Sequence, residues 1–325
     1  VKSRVTGVGM FAPPRVLANS DLEKMVETSD SWIRERTGIR ERRIAEPGSG
    51  TSDVSLEAAR RALGDAGLSP ADLDLIVVGT VTPDMPLPST ACFLQMKLGA
   101  GRAFAFDLNA ACSGFLYGLA TADALIRAGR ARHALVVGAE ILSSITDYAD
   151  RSTCILFGDG AGAVVLSASS GDAGVVDCEL HSDGSLWELI HCPGGGTVHP
   201  YGPETAERRL HYIRMNGNET FRHAVTRMVE VSTAVLERNG IPGDGVGLFI
   251  PHQANLRIIK AVGKRLSIPE DRIFVNVERY GNTSAASIPI ALAEARDRGL
   301  YRPGDYVLLT AFGAGLTWGS VLLRM

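Results

Sequence analysis

The sequence predicts a layered α/β fold made of two similar halves, residues 1–172 and 173–325. Two observations carry this reading. First, helical patterns alternate with short apolar runs: "SLEAARRALGDAG" precedes "LDLIVVGTV", and "FLYGLATADALIRAG" precedes "HALVVGAEIL". Runs such as residues 75–78 and 135–137 are too short for helices and too evenly apolar for half-exposed strands. They read as strands covered on both faces. Second, the chain repeats itself weakly at an offset of 173 residues. A helix ending at Ala66-Gly67 leads through "LSPADLDLIVVGT" into a strand, and a helix ending at Asn239-Gly240 leads through "IPGDGVGLFIPHQ" into another.

The elements then follow in parallel order. Each copy continues with a helix ("STACFLQMKLG" and "ANLRIIKAVGKRLS") and a strand ("RAFAFDL" and "RIFVNV"). Each then reaches a small-residue turn that opens a new helix, "NAACSGF" in one copy and "YGNTSAASIP" in the other. The segments "ILFGDGAGAVVL" and "LLTAFGAGLTWGSVLL" close the two copies, with the break near residues 167–174. Between them "CPGGGTVHPYGPETAERRLHY" reads as a long surface loop, covering residues 193–211.

Composition narrows the function. A chain of 325 residues with 33 Lys+Arg against 36 Asp+Glu has a net charge of −3, which lacks the basic surplus of a nucleic-acid binder. No uninterrupted apolar run reaches the roughly 18–20 residues of a membrane span, and "VKSRVTGVGMF" lacks a signal peptide's apolar stretch, so a cytoplasmic protein is expected. Five scattered cysteines without CxxC spacing argue against disulfides and zinc. "GVGMFA" lacks the third glycine and spaced acid of a dinucleotide fingerprint. His191, Cys192 and His199 lack paired spacing and read as solvated loop, so no metal is expected.

Chemistry concentrates at three positions. Cys112, in "DLNAACSGFLYGL", stands where a strand ends and a helix begins. Unpaired N–H groups at a helix start are expected to lower a thiol's pKa and to hold an oxyanion, and small neighbours admit a substrate. The other four cysteines read as small buried hydrophobes in strands or a loop. His252, in "LFIPHQAN", follows a strand of the second copy, and Asn282 lies in the turn that matches the Cys112 turn. Singly each has a bland explanation, a structural histidine or a turn-forming asparagine. Their coincidence at equivalent strand ends, where α/β sheets bind ligands, favours a joint site.

With "AACSGF", "PHQANLRII", "YGNTSAASIP" and "FGDGAGA" in this order, the chain resembles β-ketoacyl-acyl carrier protein synthase III of bacterial type II fatty acid synthesis. The resemblance runs from "TSDSWIRERTGIRERR" to "FGAGLTWGSVLL". It implies the thiolase fold, a five-layered αβαβα duplication, and a homodimer. It implies that Cys112 takes an acyl group from acetyl-CoA and that His252 and Asn282 stabilise the enolate left when malonyl-acyl carrier protein loses carbon dioxide. Coenzyme A enters as a thioester substrate, and no permanently bound cofactor is implied. Trp32 and Arg151 would sandwich the adenine. Thr28 and Arg36 would meet the nucleotide and phosphates, and Gly217 and Asn255 would line the pantetheine arm. Arg257, with nearby Lys260 and Lys264, would dock the acidic carrier protein. Gly313, Ala314 and Gly315 would supply an oxyanion N–H, and Leu87 (acting across the dimer), Phe157 and Phe221 would wall the acyl pocket. Leu87 stands where some relatives carry an aromatic, so a short primer with tolerance for longer or branched ones is expected.

Three other readings bear on the same residues. A same-fold enzyme with a different acyl starter would share all three site residues. A Cys–His–Asn hydrolase is disfavoured by Trp32, Arg36 and Arg151, and a silent binding subunit by the retained nucleophile. A thiolase would need a second cysteine near "FGAG", but the last cysteine is Cys192.

Overall fold

The computed structural model describes residues 2–325. Its first principal sheet holds β1 (Lys2–Phe11), β2 (Leu75–Gly79), β3 (Phe104–Leu108), β4 (His133–Glu140) and β5 (Gly160–Ser169), in the order β1-β5-β4-β2-β3. The second holds β6 (Gly174–Ser182), β7 (Leu248–Pro251), β8 (Tyr306–Gly313) and β9 (Thr317–Arg324), in the order β7-β8-β9-β6. Strand β2 runs parallel to β3 and β4, and β7 runs parallel to β8; the remaining pairs are antiparallel.

The side-chain period of two explains the unbroken apolar runs. Leu75 and Val77 face the middle of the molecule, whereas Ile76 and Val78 face outward. The outward face of the first sheet is covered by α2 (Thr51–Ala66) and α3 (Thr90–Leu98). Between the sheets lie α4 (Gly114–Arg127) and α7 (Ser287–Asp297), contributing Phe115, Leu119, Ile288 and Leu292 to the central core. Beyond the second sheet lie α5 (Gly217–Arg238) and α6 (Leu256–Arg265). The order is αβαβα, as the resemblance implies. A satellite core joins α1 (Asp30–Thr37) to residues 142–157 at the side of the molecule.

Three sequence expectations need correction. The strand expected at "RIFVNV" shrinks to a single bridge between Ile273 and Phe249. Beyond it the buried side chain of Gln253 replaces the ladder, donating to the Phe274 carbonyl (3.1 Å) and accepting the Asn276 N–H (2.9 Å). The 193–211 segment is not bare loop, since it includes the short helix Pro203–Glu207, and the flanking pair Ile190–His191 and Arg214–Met215 closes its base. Cys92 lies in α3 and Cys154 in the helical turn Arg151–Cys154, not in strands or a loop.

A buried cation supports the side core. Arg42 is fully buried and donates to Leu17 O (3.0 Å), Asn19 Oδ1 (3.0 Å) and Ile155 O (2.7 Å), with no carboxylate among these partners. Burial lowers its pKa to about 10, so it remains charged. Its hold on Ile155 steadies the segment whose next carbonyl, Leu156 O, receives the Asn282 N–H. Replacement by methionine would leave three buried oxygens without donors, at about 1 kcal/mol or more each. We expect Arg42→Met to lower unfolding stability by about 3 kcal/mol in urea titrations.

Candidate active site

The Cys112 turn and its counterpart in the second half are strained in the same way. Ala111 has φ +47° and begins the 3₁₀ turn Ala111–Ser113, which runs directly into α4. Ser284, 173 residues later, has φ +48° and begins the turn Ser284–Ala286, which runs into α7. Left-handed backbone at a residue with a side chain costs on the order of 1–2 kcal/mol. In each copy an asparagine side chain supports it: Asn109 Oδ1 accepts the Ala111 N–H at 3.4 Å, and Asn282 Oδ1 accepts the Ser284 N–H at 2.9 Å. Glycines at the strand ends admit these turns. A Cβ on Gly79 would stand 2.7 Å from the Gly114 carbonyl carbon, and one on Gly138 would overlap the Ala285 carbonyl oxygen.

His252 follows β7 and is 3% exposed. Its backbone N–H donates to Thr310 O (2.8 Å), and its Nδ1 lies 2.6 Å from Ser287 Oγ at the start of α7. The same Ser287 oxygen accepts the Gln253 N–H (3.3 Å). With the Ser287 hydroxyl donating to Nδ1, the imidazole carries its own proton on Nε2, the tautomer that a donor role at Nε2 requires. Burial pushes its pKa down to about 3, so it is a neutral donor throughout the working range.

Asn282 is oriented as firmly. With Oδ1 engaged by Ser284 N–H, its amide nitrogen points away as a donor. Its backbone is pinned by Leu156 O (2.8 Å) and by the Gly158 N–H (3.0 Å), and Phe157 forms a bridge with it. Opposite lies Gly313 at the end of β8, where an added Cβ would meet Cys112 N at 2.6 Å. Thr317 Oγ1 donates to Ala110 O (2.8 Å), and Ser113 Oγ donates to Thr317 O (3.1 Å), so the turn carrying Gly313, Ala314 and Gly315 is tied to the nucleophile turn.

Electrostatics depart from the sequence expectation at Cys112. A helix start alone would lower the thiol's pKa, but burial pushes it up to about 12, with the negative charge of Glu140 adding to the rise. At rest the Cys112 side chain is the thiol. Three further polar residues escaped the sequence reading: Glu140, Ser284 and Ser287. Glu140 lies at the end of β4 inside an apolar run, with nothing local to mark it. Only the matching offset to Ala111 could have drawn attention to Ser284.

The outer residues form a second group. Trp32 lies in α1 with the Arg36 guanidinium 4.4 Å and the Arg151 guanidinium 5.0 Å from its ring centre. The Thr28 hydroxyl is buried without a partner. Asn255 caps α6 by accepting the Arg257 N–H (2.8 Å) and donates to Arg36 O (3.0 Å), so it bridges α6 and α1. Gly217 opens α5, and Arg257 lies over the Phe221 ring at 5.3 Å. Leu87 is 83% exposed and joins no core of its own chain.

A five-layered duplication with a cysteine at one central helix start and neutral donors beside the other defines a thiolase-fold acyltransferase. Residues 106–184 match the family described as 3-oxoacyl-[acyl-carrier-protein] synthase III, and residues 236–325 match its C-terminal family. The chain is 55% identical to the β-ketoacyl-[acyl-carrier-protein] synthase III of Roseiflexus castenholzii, over 98% of this chain and 97% of that one. It is 50% identical to the Caldanaerobacter subterraneus protein of the same name, over 100% and 98%. The crystal structure of 3-oxoacyl-[acyl-carrier-protein] synthase III from Aquifex aeolicus superposes with a TM-score of 0.93 at 50% identity, covering 99% of this chain and 100% of that one. The chain belongs to the β-ketoacyl-[acyl-carrier-protein] synthase III family.

Two outcomes follow from this geometry. Gly313→Ala would displace Cys112 N, and its rate of acyl-enzyme formation should fall at least tenfold by rapid-quench mass spectrometry. His252 has a folded pKa far below the 6.5 of the unfolded chain, so its contribution to stability is complete above pH 6.5 and is lost as pH falls toward 3. Denaturant melts at pH 7 and pH 5 should show His252→Gln losing less stability on acidification than the wild type. The expected difference approaches roughly 1 kcal/mol per pH unit.

Proposed function

We propose that the protein condenses a short acyl-CoA, with acetyl-CoA first in expectation, with malonyl-acyl carrier protein to give a 3-oxoacyl-carrier protein, CoA and carbon dioxide. The observation that supports this most is the donor pair: His252 Nε2–H and the Asn282 amide are both held neutral and both oriented by protein partners. In the first half-reaction the Cys112 sulfur attacks the thioester carbon. The carbon–sulfur bond to CoA breaks, and CoA leaves as its thiol with the proton that Cys112 gives up. The N–H groups at Cys112 and at the Gly313 to Gly315 turn stabilise the oxyanion. In the second, malonyl-carrier protein loses carbon dioxide and its electron pair enters the thioester enolate. The two neutral donors stabilise that enolate, whose carbon then attacks the acyl-Cys112 carbonyl; the carbon–sulfur bond to Cys112 breaks, and the sulfur takes up one proton from solvent to return to the thiol. The buried setting keeps water from the acyl-enzyme.

The outer residues support the CoA reading. Trp32 offers an aromatic face and Arg36 and Arg151 offer cations beside it, and the buried Thr28 hydroxyl lacks a protein partner. In the structure Arg151 rests on the Trp32 ring, so an adenine entering between them displaces it. Gly217 and Asn255 line the way inward, and Arg257 begins a face with Lys260 and Lys264 suited to an acidic carrier protein. Phe157 and Phe221 serve as acyl-pocket walls. We take the chain to act as a homodimer in the cytoplasm. The edge strand β3 with exposed Phe104, together with exposed Met96 and Leu87, supplies the apolar surface, and Leu87 enters the partner's pocket. The matched turns support residues 1–172 and 173–325 as the duplicated units.

A second reading keeps the chemistry and changes the starter. The priming β-ketosynthase of the R1128 polyketide pathway superposes with a TM-score of 0.92 at 37% identity, covering 99% of this chain and 96% of that one. A primer panel separates the two. Intact-protein mass spectrometry should show a stable adduct with a short straight-chain acyl-CoA that malonyl-carrier protein discharges as a 3-oxoacyl product. An adduct only with unusual acyl-CoAs would favour the starter enzyme, and simple hydrolysis would favour neither. Cys112→Ala should form no adduct. His252→Ala and Asn282→Ala should still acylate, with malonyl decarboxylation reduced on the order of 10²-fold or more. Normal decarboxylation in both would refute the donor pair. Arg257→Glu should raise KM for the carrier protein while leaving CoA binding intact.

A further inference from the structure

At the end of the sheets remote from Cys112 lies a cavity of about 320 Å³ that the mechanism above leaves without a role. It sits at the seam of the two halves, where β1, at one edge of the first sheet, meets β6, at one edge of the second. The approach is close there, since a Cβ on Gly174 would overlap the Ser3 carbonyl oxygen. Four arginines from separate segments line the cavity: Arg4 of β1, Arg296 in the last turn of α7, Arg302 in the loop that follows, and Arg324 at the end of β9. Strand β9 starts at Thr317, which is tied to the Cys112 turn, and runs away from it to Arg324. Seven steps along a strand place the cavity roughly 23 Å from that turn.

Like charges gathered in one cavity repel each other, and most of this charge is left uncompensated. Arg296 is paired with Asp65 at 2.8 Å. Arg324 has only Asp172 at 3.9 Å, a carboxylate that stands out in solvent. Among the described residues, Arg4 and Arg302 enter no ion pair, and the nearby Asp305 carboxylate accepts the Arg302 backbone N–H (2.8 Å) instead of its guanidinium. No general basic surplus explains the cluster, because the chain's net charge is −3. Tyr301 lines the same cavity, and its hydroxyl is buried with no hydrogen-bond partner. Buried polar groups are ordinarily paired, so this donor is a second sign of a missing acceptor. Val5, Pro303 and Leu323 complete the wall with apolar surface.

We infer that this cavity binds a small phosphorylated organic anion carrying two or more negative charges, at a site separate from that of Cys112. A guanidinium fork matches two oxygens of one phosphate group, and several forks facing one space match an anion with charge on more than one group. A monocarboxylate would leave most of them unanswered. The apolar wall covers the organic part, and the volume falls at the small end of the roughly 300–1,000 Å³ typical of ligand pockets. Clustered positive charge between low-dielectric walls also draws such an anion in from solution.

The probe is inorganic pyrophosphate, titrated calorimetrically into the intact protein at low ionic strength, with hydrogen-exchange mass spectrometry to locate it. Saturable binding should protect the segment around residues 296–303, weaken as salt is added, and greatly exceed the binding of acetate. Arg4→Gln combined with Arg302→Gln should weaken it on the order of tenfold or more, since two charge-assisted contacts are lost. Both side chains lie outside every ion pair and every core cluster, so circular dichroism should show the fold retained. Arg36→Gln combined with Arg151→Gln strips the cations beside Trp32, and should leave this binding within about twofold because the sites are well beyond a screening length apart. An affinity unchanged by the Arg4→Gln and Arg302→Gln pair, or lost only with the Arg36→Gln and Arg151→Gln pair, would overturn the inference. So would the absence of saturable binding, or acetate binding as tightly as pyrophosphate. If the Arg4→Gln and Arg302→Gln pair fails to fold, Arg324→Gln carries the test, and an unchanged affinity there overturns the inference equally.

Discussion

The first turns of α4 and α7 meet in the layer between the sheets, and the site exists because of that meeting. Each start is a 3₁₀ turn opened by a residue in left-handed backbone, the first just after β3 and the second just after the short helix Val277–Tyr280. Glycines at the strand ends let the turns approach, most tightly where Gly138 meets Ala285 and Gly79 meets Gly114. The central core of Phe115, Leu119, Ile288 and Leu292 holds the two helices in register. The strain at Ala111 and Ser284 persists because the packing on both sides overdetermines it.

Burial is the second consequence of that meeting, and it sets the protonation states. The Cys112 thiol is pushed up to about 12, the His252 imidazole down to about 3, and the Glu140 carboxyl up to about 7. All three shifts favour the neutral form. On the proposed mechanism a neutral donor pair stabilises the enolate without first being discharged by the carboxylate of the incoming malonyl group. A neutral thiol at Cys112 is less reactive than a thiolate toward adventitious electrophiles. On the proposed mechanism the helix start still matters, but by supplying N–H groups to the reacting oxygen rather than by ionising the resting sulfur.

Much of this was legible in the sequence because duplication makes its own control. The turns "NAACSGF" and "YGNTSAASIP" align Asn109 with Asn282 and Ala111 with Ser284, and the structure gives both pairs the same backbone role. The layer order follows from strands apolar on both faces. Residues that act across long separations were not legible. Glu140 and Ser284 are 144 positions apart, His252 and Ser287 are 35 apart, and Arg42 reaches Ile155 across 113. None has a local pattern, because a buried hydrogen bond leaves no periodicity. The missing strand at "RIFVNV" fails for a related reason: Gln253 satisfies the backbone that a ladder would have paired, and propensity cannot foresee a side chain doing so.

Duplication also explains how one backbone device came to serve two chemistries. In the first half the asparagine holds its turn at 3.4 Å, and the residue after the strained position is a cysteine. In the second half the asparagine holds its turn more tightly, at 2.9 Å, and the strained position itself carries a hydroxyl while an alanine follows. The first copy thus offers a sulfur at the helix start. The second offers the free face of an amide and a serine whose hydroxyl donates to a buried acid, Glu140. Because the two turns meet and both helices feed one central core, a change at either is felt at the other through the central layer. The division of labour therefore needs no new architecture, only different side chains on two copies of one strained turn.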